Sequence, residues 1–168
     1  MLAHRKALAT GALVRYNLTS VEFKSFTFPK DSQTQSIENA VLGHLPNRLL
    51  FTMVKNIEFL GTVNTRSYFF RHNDLSYFVL NVKGTQIHPD GLHLCMNHEN
   101  TSIVGYRTLF DASGFHHSNP GLQTTLDIYI YGIIVLFFHF TSDRGASDVH
   151  ISLSDNGNIR WNLNSDNS

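Results

Sequence analysis

Cysteine is nearly absent: Cys95 stands alone, so no disulfide can form within the chain and a reducing, intracellular setting is expected. Charge is scarce as well. Lys and Arg number 13, Asp and Glu 13, and together they make up 15% of the residues, against roughly 25% in an average soluble protein. With opposite charges balanced there is no basic field to gather phosphates, which argues against nucleic-acid binding. Asn, Ser and Thr carry the polar surface instead, and such a surface lacks the repulsion that keeps chains apart. That points to assembly.

Long hydrophobic runs are missing too. A membrane-spanning helix needs about 20 apolar residues, and the longest candidate, Ile128 to Phe140, is bounded by Asp127 and by Thr141-Ser142-Asp143. Its Ile, Tyr, Val and Phe favour strands, so it is expected to be one interior strand covered on both faces, with Gly132 as a bend or bulge. The N-terminus has no apolar stretch of secretory type. The sequons at Asn17 and Asn100 are therefore expected to stay unused. No nucleophile elbow, phosphate loop or dinucleotide fingerprint occurs.

What is present reads as short strands and turns. Val21 to Phe28 alternates and then changes parity, as a bulged strand would. Lys30 to Asn39 reads as a polar loop. Arg48 to Lys55 and Leu75 to Val82 are strand candidates, and Lys83-Gly84 a turn leading to Thr85–His88. His88 to Ser102 looks irregular. Ile103 to Ser113 is the expected helix of the second half, with Tyr106, Leu109 and Phe110 at helical spacing. Asn156-Gly157, between Val149–Leu153 and Ile159–Leu163, is the pattern of a type I′ hairpin. The fold class implied is all-β, an antiparallel β-sandwich of jelly-roll type with one or two short helices in loops.

Candidate chemistry concentrates in HLCMNHE, where His93, Cys95, His98 and Glu99 precede His116 and His117. Imidazole, thiolate and carboxylate are ligands for zinc or iron, and the group approaches the His-x-His and Glu signature of cupins. Cys95 replaces the second histidine, however, and the later motif lacks its glycine and histidine. No metal is expected there. Asp111, Glu58 and Glu99 read as solvated surface or caps, and no catalytic or cofactor-binding residue is assigned.

The succession of motifs carries a resemblance. Phe26-Thr27-Phe28-Pro29 is followed by Leu42-Gly43-His44-Leu45-Pro46-Asn47-Arg48 and by Asn56-Ile57-Glu58-Phe59-Leu60-Gly61-Thr62. Then come Asn64, Tyr68 to His72, Val82 to Gln86 with Pro89, Tyr106 with Leu109, Tyr131 to Asp143 and Asn156 to Trp161. In this order they resemble the second half of the double jelly-roll major capsid proteins of Polinton (Maverick) elements and their copies in invertebrate genomes. Thr65 and Ser142 stand where that family has proline.

The resemblance implies a structural, non-enzymatic virion protein of a transposable element, acting by self-assembly, since intact members form trimeric capsomers. It implies neither a small-molecule substrate nor a membrane or nucleic-acid partner. Residues 1–168 are expected to be one incomplete jelly roll, without the family's first jelly roll and closing strand. Two other readings stand beside it. One is a cupin-type metal enzyme; the other is a small ligand- or sugar-binding β-sandwich, which would show a concave aromatic patch.

Overall fold

The computed structural model describes residues 20–29, 32–67, 69–94, 96–97, 100–101, 103–113, 124–140 and 155–165. Two antiparallel sheets face each other across one apolar core. The larger sheet begins with β1 (Thr34–His44), which pairs with β9 (Asn156–Ser165) from Thr34↔Asn164 to His44↔Asn156. On its other side β9 pairs with β3 (Leu75–Val82). Along β3 lie β4 (Thr85–Gln86), opposite Asn81 and Val82, and β5 (Leu92–His93), opposite Tyr77 and Phe78. The smaller sheet pairs β2 (Arg48–Thr52) with β8 (Val135–His139). A separate small ladder joins β6 (Met96–Asn97) to β7 (Asn100–Thr101).

Alternation in the strands builds the core. β9 turns Ile159, Trp161 and Leu163 inward, and β3 turns Phe78 and Leu80 to meet them. Phe51 and Phe138 come from the facing sheet. Phe51 lies 4.7 Å from Phe78 and 5.8 Å from Trp161, and Phe138 stacks on Phe78 at 5.6 Å. Offset and edge contacts of this kind add to the area these rings bury. The antiparallel, mainly β architecture is thus as expected, as are β3 and the Lys83-Gly84 turn, while β2 forms where expected but ends at Thr52 rather than Lys55. Both turn residues have positive φ, 52° and 77°, as a two-residue hairpin of type I′ requires.

Five expectations are corrected. Ile128 to Phe140 is not one strand. Leu126–Gly132 is a helix (called α3 below), and only Val135–His139 pairs as a strand. Thr125 caps this helix by accepting a hydrogen bond from Ile128 N, and Asp127 sits favourably in its first turn. Tyr129 is wholly buried, with Leu126 and Ile130 half-buried on the same helical face, whereas Ile128 and Tyr131 are exposed. The Tyr129 hydroxyl donates to Val135 O at 3.2 Å. Helical packing therefore overrides a composition that favours strands.

Lys30 to Asn39 is not simply a loop, because Thr34 onward belongs to β1. Its outward side chains are polar and its inward ones few, so the ladder to β9 defines it rather than hydrophobic alternation. The register slips between Ile37 and Val41, where Asn39 takes φ 52° and Ala40 becomes buried. Val21–Phe28 has the opposite fate. It runs without ladder partners, Val21 and Phe23 exposed, while Phe26 meets the Trp161 ring edge-on and Phe28 packs against the core.

Asn156-Gly157 is no type I′ turn, since neither residue has positive φ; both pair with β1, opposite His44 and Gly43. Long-range pairing wins over local turn preference. Val149–Leu153 lies outside the described residues. Finally, Ile103–Ser113 is a helix as expected (α2), but α3 gives the second half another. Helix α2 packs on β8, where Phe137 N donates to Thr108 Oγ1 at 3.3 Å. Its Gly105 allows close approach, because an added Cβ would stand 3.1 Å from both Leu94 and the Tyr129 hydroxyl. No helix among the described residues is long and apolar enough to cross a membrane.

Candidate functional site

The clearest departure from ordinary patterning is a one-turn helix, α1 (Asn56–Leu60). It starts after extended Lys55 without a side-chain cap, and Gly61 ends it at φ 71°, a conformation glycine adopts without strain. Its faces are reversed. Ile57, Phe59 and Leu60 are exposed, Val63 just beyond is fully so, and Glu58 is the buried residue at 7%. This corrects the expectation that Glu58 is solvated.

Arg71 reaches Glu58 Oε1 at 3.5 Å, while Oε2 has no hydrogen-bond partner among the described residues. The Arg71 guanidinium also lies 4.6 Å from the centre of the Phe69 ring, a cation–π contact that helps hold it. Next along the chain, Phe70 forms a parallel bridge with Ile133, itself partly exposed. Glu58 and Arg71 thus pin α1 down by its polar side and leave its apolar side to water. Each large apolar side chain withdrawn from water would gain about 1.5–3 kcal/mol. Contiguous patches of this kind mark contact surfaces.

A second feature is the outer face of the larger sheet. β9 sends Arg160, Asn162 and Asn164 outward, next to Thr34 and Ser36 of β1 and to Tyr77, Val79 and Asn81 of β3. Together with Gln86 they line a groove of about 510 Å³. Ser36 Oγ and Asn162 Oδ1 are 2.7 Å apart, and Arg160 pairs with Glu38 at 3.5 Å. At one end of the sheet Lys83 hydrogen-bonds Asp155 and holds its carboxyl below the usual aspartate range, partial desolvation opposing the shift. Burial pushes the Tyr129 phenol up, so it stays a neutral donor.

The histidine group falls largely outside the described residues: Cys95, His98, Glu99, His116 and His117 all do. His93 is exposed on β5, its ring 4.8 Å from Tyr77. Among the described residues no group of three or more His, Cys, Asp or Glu is placed to hold a metal ion. Asp111 pairs with Arg107 along α2 at 3.5 Å, a surface contact. Asn100 belongs to β7, and Asn17 lies outside the described residues.

Neither the α1 patch nor the groove was singled out from the sequence. The signal for the groove was legible, since I-R-W-N-L-N alternates and so puts one arginine and two asparagines on one face. The α1 patch had no such signal, because a five-residue helix is too short to show a period. Comparison with protein-family models, with curated proteins and with solved structures gives no match for this chain.

Proposed function

We propose that this chain is a structural protein that works by self-assembly, a jelly-roll subunit of the capsid type encoded by Polinton-like elements. One observation carries the reading: the α1 turn presents Ile57, Phe59 and Leu60 to solvent, with Val63 beside them, while burying its acid. That arrangement costs solubility in an isolated subunit and gains free energy when a like subunit covers it. The segment is also the one that carries the Asn56 to Thr62 motif of the capsid resemblance. The low charge of the whole chain favours the same outcome.

Sedimentation velocity with electron microscopy tests the proposal. The unaltered chain should associate with rising concentration between about 1 and 100 µM, the range of modest interfaces. Phe59→Glu and Leu60→Glu, at exposed positions, should each keep the circular dichroism spectrum and move the protein to monomer. A chain that stays monomeric throughout that range, or variants that associate as the parent does, would refute it.

A further inference from the structure

The outer face of the larger sheet has the chemistry of a binding site rather than of plain wet surface. Val79 and Asn81 point away from the core by alternation, yet they are 7% and 8% exposed. Neighbouring side chains therefore stand around them as walls, and the two form a floor. The groove of about 510 Å³ above falls in the size range of small-molecule sites.

Cross-strand register arranges the lining in rows. Thr34, Asn164 and Tyr77 form one; Ser36, Asn162 and Val79 the next; Arg160, Asn81 and Gln86 a third. Amide and hydroxyl groups dominate, and each offers both donor and acceptor capacity. Asn162 uses Oδ1 toward Ser36 Oγ, which leaves its NH₂ group for a ligand. Arg160 is the charged residue of the lining, and Glu38 at 3.5 Å neutralises it. An anion or a cation would find no uncompensated counter-charge here, and a greasy ligand would strand the buried Asn81 amide and the half-buried Gln86, Asn162 and Asn164. A ligand whose own groups both donate and accept satisfies them.

The aromatic element is held rigidly. Gly91, at φ 69°, lies so close to the Tyr77 ring that an added Cβ would stand 2.6 Å from it, and the His93 ring packs 4.8 Å away. A ring fixed in advance loses little freedom on binding. We infer that this face binds a neutral, hydroxyl-rich ligand, a short uncharged oligosaccharide, whose hydroxyls meet the amide rows while a sugar face lies on Tyr77. The inference does not depend on self-assembly.

Isothermal titration calorimetry of the full chain with maltotriose, cellotriose, mannotriose and chitotriose tests it, with hydrogen–deuterium exchange to locate the site. At least one trisaccharide should bind saturably, at millimolar dissociation constant or tighter, and protect backbone amides within 77–81 and 160–164. Asn162→Ala and Tyr77→Ala should each weaken binding about tenfold or more, whereas Tyr77→Phe, which keeps the ring, should retain it. Should Tyr77→Ala unfold, the half-exposed Asn162→Ala decides alone. The assembly-blocking Leu60→Glu variant should bind as the parent does, which separates this site from the assembly surface. No saturable binding by any of the four, binding unaffected by Asn162→Ala, or binding only of a sulfated disaccharide would overturn the inference.

Discussion

Burying a carboxylate costs free energy unless a cation and hydrogen bonds compensate it, and Arg71 lies 3.5 Å from one oxygen of Glu58 alone. Removing the cation strands the acid. Arg71→Ala should lower stability by about 1–3 kcal/mol, less than for a fully buried pair because Arg71 is itself half-exposed. Replacing the acid by an apolar side chain of similar length removes the problem, so Glu58→Met should change stability by less than about 1 kcal/mol. Urea midpoints of the two variants check the asymmetry, and equal losses would contradict it. Asp155 offers a second test at this scale. Its carboxyl is depressed chiefly by the hydrogen bond from Lys83, so its contribution is present above the unfolded aspartate value, about 3.9, and is lost as pH falls through the lower folded value. Carbon-detected titration of the Asp155 carboxyl should show a midpoint below 3.9 that moves back up in Lys83→Met. The pair is exposed, and added salt should weaken the shift.

Among the elements, those with clear apolar spacing or strand-rich composition were legible. Leu75–Val82 and Ile103–Ser113 emerge with the boundaries expected from their apolar spacing. β1 did not, because Thr34, Ser36 and Glu38 face water and its apolar side chains come late, at Ile37, Ala40 and Val41. Only its distant partner makes it a strand. α3 was hidden for the opposite reason: Ile and Tyr have strand propensity, and the decisive signals were the Thr125 cap and the need of Tyr129 for a carbonyl partner. Thr125→Ala should therefore cost about 0.5–2 kcal/mol, readable as a lower thermal midpoint. A change within error would mean that tertiary contacts hold the helix without its cap. Of the candidate surfaces, the groove was latent in the alternation of β9, whereas the reversed faces of α1 follow from where Arg71 lies, which no local pattern encodes.

For the molecule as a whole, short strands and turn-rich joins indicated an antiparallel β protein and scarce charge one inclined to associate, and the two facing sheets agree with the first part. What composition cannot convey is the order of strands. β9 holds the middle of the larger sheet, between β1 and β3, and its Asn162 meets Ser36 from 126 positions away along the chain. While a ribosome is still adding the segment before residue 156, β1 has no ladder partner among the described residues and the inward sides of Phe51 and Phe78 have no Trp161 to meet. The sheet cannot close until β9 has been made. Closing so large a loop before any reward arrives should make refolding slow, on the order of milliseconds to seconds for such topologies. Stopped-flow tryptophan fluorescence can follow it directly, since Trp161 is the sole tryptophan and sits on the closing strand. Until that moment the β1 edge that β9 will cover is open to any other newly made copy, so the balance between intact subunits and tangled ones is a race between the arrival of β9 and encounter.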